Sequence, residues 1–103
     1  MSNVISLTET NFEQEVLRFE LPVLVDYWAP SCGPCRVVGP VIERIADEPA
    51  DTVKVAEVNV DEEPRLAESA GVHGIPFVVL YRHGELVARV VGAHPHSPRS
   101  RGR

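Results

Sequence analysis

The sequence predicts an α/β fold in which helices cover a mixed β-sheet, and three observations carry that reading. The run Val23-Leu24-Val25-Asp26-Tyr27-Trp28 is apolar or aromatic at every position but Asp26 and does not alternate. That is the pattern of a strand buried on both faces, as in sheets with helices on each side. Val37, Val38, Val41, Ile42 and Ile45 fall at helical spacing and form one apolar stripe of an amphipathic helix. Strand and helix signals then alternate along the chain in the order β-α-β-α-β-α-β-β. At 103 residues there is material for one hydrophobic core.

Val4-Ile5-Ser6-Leu7 reads as a short first strand. Thr10-Asn11-Phe12-Glu13 fits a capping box, with Thr10 covering an amide at the helix start and Glu13 reaching back. Phe12 and Val16 then share a face of a helix running to about Arg18. Pro22 ends that segment before the apolar strand. A turn at Ala29–Gly33 leads into the amphipathic helix, where Pro40 frees the carbonyl of Arg36 and predicts a kink. Thr52 to Val60 is a valine-rich strand. Asp61-Glu62-Glu63-Pro64 opens a short helix, with acids at its positive end, and Gly71 stops it. Phe77–Tyr81 and Leu86–Val91 make a β-hairpin linked by Arg82-His83-Gly84-Glu85.

Charge is unevenly distributed. All fifteen acids and seven of the ten bases lie in residues 1–92, for a net −8, whereas residues 93–103 carry three arginines and no acid. An acidic body argues against nucleic-acid binding, which depends on Lys and Arg neutralising phosphates. No stretch approaches the ~18 apolar residues of a membrane span. Met1-Ser2-Asn3-Val4 lacks the basic and apolar regions of a secretory signal, so a cytoplasmic protein is expected.

The chemistry lies in Trp28-Ala29-Pro30-Ser31-Cys32-Gly33-Pro34-Cys35-Arg36, where a strand ends and a helix begins. A helix N-terminus offers free amides and partial positive charge, which stabilise a thiolate at Cys32. Cys35 lies one helical turn on, so its sulfur returns towards Cys32. One sulfur can then attack a disulfide and the other resolve the mixed disulfide. Gly33 permits close backbone approach, and Pro34 fixes φ where the helix starts. Zinc is the competing reading of a C-x-x-C pair, but it needs about four ligands, and none of the four histidines has convincing spacing to the cysteines. No metal is expected.

Trp28-Ala29-Pro30 followed by Cys32-Gly33-Pro34-Cys35 resembles a thioredoxin active site. Asp26 before it, Gly74-Ile75-Pro76, and Gly84 and Gly92 around the hairpin also fall where that family has them. The resemblance covers residues 1–92 as a thioredoxin domain. It implies a thioredoxin fold and a protein-disulfide reductase that needs no cofactor beyond a redox-active Cys32–Cys35 disulfide. The implied partners are protein disulfides and a thioredoxin reductase. By resemblance, Cys32 is the attacking thiol, Cys35 the buried resolving thiol and Asp26 a buried carboxylate exchanging a proton with Cys35. Trp28, Gly33, Pro34, Ile75 and Pro76 form the substrate surface, with Pro76 as the family's cis-proline; a trans-proline opening a strand fits the sequence equally. Oxidising relatives place a histidine between the cysteines; Gly33-Pro34 lacks it, which favours a reductant. A non-catalytic module that docks a partner through the same surface is the alternative.

Several positions depart from the family pattern. Ser31 replaces a tryptophan, Arg36 a lysine, and Glu57 a lysine close to the buried aspartate. Two carboxylates in place of an acid–base pair push one pKa up, so Glu57 is expected to modulate Asp26 unless it points to solvent. Family members also continue beyond Gly92-Ala93 into an amphipathic helix covering one sheet face. Residues 93–103 have two prolines and no Leu, Ile, Val or aromatic residue. They are expected to lack that helix, to be disordered or extended, and to leave a sheet face for self-association.

Overall fold

The structure is a computed structural model and describes residues 3–47 and 53–92. The expected tail at 93–103, and the absence of a final helix there, lie outside the described residues. Five strands form one sheet in the order β1-β3-β2-β4-β5: β1 Ile5–Ser6, β2 Val23–Trp28, β3 Lys54–Asn59, β4 Phe77–Arg82 and β5 Glu85–Gly92. β1, β2 and β3 run parallel, while β4 lies antiparallel to both β2 and β5. The mixed sheet therefore has β2 at its centre, bonded on both edges, and five of its six residues are buried.

Alternation along β2 divides the core. Val23, Val25 and Tyr27 project to one face and pack with Val16, Ala56, Val58, Leu66, Val79 and Tyr81. Leu24 projects to the other and packs with Val55, Val78 and Ile42. A π-helical turn, Glu13–Leu17, and helix α2, Pro64–Ser69, cover the first face. Helix α1, Cys35–Asp47, covers the second.

The capping box forms two residues earlier than expected. Thr8 Oγ1 accepts the Asn11 amide at 3.3 Å, and Asn11 Oδ1 accepts the Thr8 amide at 2.8 Å. This is the reciprocal pairing of a capping box, with Asn in place of Glu. Asn11 Nδ2 also donates to the Ser6 carbonyl, tying the turn to β1. The turn is wider than an ordinary α-helical one, because the Arg18 amide closes onto the Glu13 carbonyl five residues back, at 2.9 Å. Phe12 and Val16 face the core together, as expected.

α2 opens on Pro64 and ends in a Schellman arrangement. Gly71 (φ +74°) donates to Glu68, and Val72 donates to Ala67. The hairpin link is two residues rather than four. His83 and Gly84 both take positive φ, the I′ geometry whose twist matches the flanking strands, so Arg82 and Glu85 are already paired.

The α1 stripe is only half used. Ile42 is buried, but Val37 is 74% and Val41 46% exposed. A groove of about 200 Å³ runs between α1 and the β5 side of the sheet, lined by apolar side chains alone, among them Val37, Val41, Val90 and Val91.

Candidate active site

β2 delivers Trp28 to the C-terminal edge of the sheet, the chain turns through residues 29–34, and α1 opens at Cys35. The turn is held by its backbone: Cys32 donates to the Ala29 carbonyl at 3.0 Å and Arg36 to the Gly33 carbonyl at 3.0 Å. Cys32 and Cys35 are joined in a disulfide, with Cα atoms 5.3 Å apart. Cys32 Sγ accepts the Cys35 amide at 3.1 Å, the place an N-cap side chain occupies at a helix start. Reduced, this sulfur would hold its negative charge against a free amide and the positive end of α1. Cys32 is half-buried and Cys35 buried, so a disulfide arriving from solvent meets Cys32 first.

Behind the cysteines lies a cleft of about 220 Å³, lined by Asp26, Trp28, Cys35, Gly39, Glu43 and Glu57 among others. Asp26 is 4% exposed, and its Oδ1 has no hydrogen-bond partner among the described residues. Burial, and secondarily the charge of Glu57, push its carboxyl up to about 6. Asp26 and Glu57 are paired in register across β2 and β3. Glu57 is half-buried and accepts the Ser6 hydroxyl at 3.3 Å. Its own carboxyl is raised by burial, with a smaller push from Glu43 against the Ser6 hydrogen bond.

The structure thus gathers Asp26, Trp28, Cys35 and Glu57 around one space. Gly33 and Pro34 stand exposed in the turn. The Ile75–Pro76 peptide is cis, and both residues are half-buried; Ile75 packs against the core on the opposite face from Asp26. Neither residue is among those lining the cleft. Glu43 and Ser6 were not singled out from the sequence. A signal for Glu43 was present, since Cys35, Gly39 and Glu43 recur every four residues along one helix face. Ser6 is brought in by β1 pairing with β3, a long-range contact no local pattern encodes.

A mixed sheet whose central strand leads into a helix-capping cysteine pair, one sulfur accessible and one buried, defines a protein of thiol–disulfide exchange. The family model described as Thioredoxin matches residues 3–98. Thioredoxin 1 of Synechococcus elongatus is 48% identical over 95 residues, which is 92% of this chain and 89% of the relative. The thioredoxin of Porphyra purpurea is 45% identical over the same shares. Among solved structures, the crystal structure of Malassezia sympodialis thioredoxin superposes with a TM-score of 0.81 at 37% identity, covering 92% of this chain and 84% of that one. The chain belongs to the thioredoxin family. It is a thiol-disulfide oxidoreductase, and its fold is the thioredoxin fold expected from the sequence.

Proposed function

We propose that the chain reduces protein disulfides with Cys32 as nucleophile and Cys35 as resolving thiol. The observation that carries this assignment is the contrast between the two sulfurs: Cys32 accessible at the start of α1, Cys35 buried beside Asp26. The Cys32 thiolate attacks one sulfur of the substrate, and one substrate thiolate leaves. Cys35 gives its proton to Asp26, and its thiolate attacks Cys32 Sγ. The Cys32–Cys35 bond forms, the bond from Cys32 to substrate breaks, and the second substrate thiolate departs. Two electrons have then passed from the dithiol to the substrate.

Trp28, Gly33, Pro34, Ile75 and Pro76 make up the surface against which substrate lies, and Glu57 modulates Asp26. A thioredoxin reductase would restore the dithiol, with no cofactor required on this chain and the cytoplasm as its compartment. No helix among the described residues is long and apolar enough to cross a membrane. Residues 1–92 form the catalytic domain in this reading, and 93–103 a tail. The apolar groove beside α1 gives self-association a surface, and sedimentation of the parent beside Val90→Ser tests it: equal monomeric mass removes that part.

Reduction of a model protein disulfide with dithiothreitol as electron source tests the mechanism. Cys32→Ser should fall to the dithiothreitol background while keeping its fold. Cys35→Ser should accumulate a stable mixed disulfide on Cys32. Trapping on Cys35 in the reciprocal experiment would reverse the two roles.

A further inference from the structure

Glu57 borders two spaces. One is the inner cleft with Cys35 and Asp26; the other is a pocket of about 270 Å³ at the β1 edge, lined with Ser6, Thr8, Asn59 and Glu62. Asp26 borders only the inner one, buried, with Oδ1 unpartnered among the described residues. Asp26 and Glu57 occupy paired positions on neighbouring strands, roughly 4.8 Å apart by sheet geometry. Both project towards α1, since Leu24 and Val55, two residues earlier on each strand, pack there against Ile42. Glu57 is held by the Ser6 hydroxyl, which lines the outer pocket. Asp26 is 4% exposed and Glu57 half-buried, so a proton that Asp26 receives from Cys35 finds in Glu57 the neighbouring carboxylate that meets water more readily. Glu57 stands at the boundary.

We propose that Glu57 is the proton exit of the active site, carrying the proton that Asp26 takes from Cys35 from the inner cleft to the outer pocket and back during recharging. The inference rests on the dithiol mechanism proposed above and assigns Glu57 a positioning role rather than contact with substrate. Atoms balance: protonated Asp26 and ionised Glu57 become ionised Asp26 and protonated Glu57, and Glu57 then yields the proton to water or buffer. The charged and polar groups around this path are Arg36 and Glu43 from α1, Ser6 from β1 and Thr8 after it, Asn59 at the end of β3 and Glu62 beyond it; β4 contributes the apolar Val78 opposite Asp26. Two carboxylates in sequence suit proton transfer because they are the same acid type and burial raises both, whereas a lysine at position 57 would hold its proton.

The test separates proton release from sulfur chemistry. The reduced protein is mixed in weak buffer with an aromatic disulfide whose thiol products stay ionised, so one proton per cycle comes from Cys35. Quenched mass spectrometry times formation and closure of the mixed disulfide, and a pH-indicator dye times proton release. In the parent, release keeps pace with closure. In Glu57→Gln, release should lag closure by about fivefold or more, below the roughly 10²–10⁴-fold of a group acting directly at the reacting atoms, because water still takes the proton slowly. Imidazole should remove the lag in proportion to its concentration, and Glu57→Asp should restore release. Release that keeps pace with closure in Glu57→Gln, or a lag indifferent to imidazole, overturns the relay and leaves Glu57 an electrostatic neighbour. If the parent forms no mixed disulfide at Cys32, the underlying dithiol mechanism fails, and the relay falls with it.

Discussion

Tyr27 and Asp26 are adjacent on β2, yet they project to opposite faces of the sheet and meet opposite chemistry. Tyr27 is fully buried, its hydroxyl 3.0 Å from that of Tyr81, and Phe12 meets the Tyr81 ring edge-on at 5.8 Å. Val16, Val25, Val58 and Val79 close around them without exposed surface. Asp26 is as deeply placed, but one carboxylate oxygen has no partner among the described residues and the other carboxylate nearby repels it. Its face also carries the open groove beside α1. The difference teaches a division of labour: one face accumulates stability, and the other holds a destabilising charge where proton transfer needs it. A charge in a buried site is costly unless paired, so a domain can keep one only with reserve elsewhere.

The comparison can be broken first at Tyr27. Tyr27→Ala removes a fully buried ring and orphans the Tyr81 hydroxyl, and should lower stability by about 3–5 kcal/mol in urea unfolding. Activity per folded molecule should be nearly unchanged, because the ring faces away from the cleft. Loss of activity in folded protein would show that the faces are not independent.

The next effect has the opposite sign. The Asp26 carboxyl sits at about 6 in the folded chain, against roughly 3.9 when unfolded. The folded state therefore binds this proton more tightly, so the associated stability is complete below about pH 4 and is lost as pH rises through about 6. A shift of this size corresponds to about 2–3 kcal/mol. Asp26→Asn should raise stability at pH 8 by about that much, leave it nearly unchanged at pH 4, and slow mixed-disulfide closure. A flat difference between pH 4 and pH 8 would mean that the carboxyl is not held up by burial. Glu57 shifts in the same direction, so some pH dependence should survive the substitution.

The smallest effect belongs to the groove. Val41 is nearly half exposed, so Val41→Ser should cost less than about 0.5 kcal/mol, as surface changes usually do. A loss several times larger, dependent on protein concentration, would mean that a second copy covers the face in solution.

Much of this organisation was legible in the sequence. The run Val23–Trp28, apolar or aromatic but for Asp26, matches β2 residue for residue, and Pro64 with Gly71 bounds α2. The cysteine pair at a strand-to-helix turn marked the site, because the spacing and the helix start are both local. Less legible were features that depend on partners distant in the chain. Whether Glu57 met Asp26 or solvent was undecided until β3 took its register against β2. Thr8 and Thr10 both precede suitable side chains, and only the anchoring of Asn11 to β1 places the capping box at Thr8. The two-residue length of the hairpin link is equally hidden, since positive φ at a histidine is not announced by its type.

The hairpin tip behaves differently from most. Gly84 comes so close to the first helical turn that a Cβ there would lie 2.9 Å from the Leu17 carbonyl oxygen. Tips of this kind usually accept grafted peptides or new chain ends, because nothing leans on them. Here the tip lies against the N-terminal segment, with no room at Gly84 for a side chain. An affinity tag or circular permutation placed at Gly84 would push the two apart, so surface display should use other attachment points.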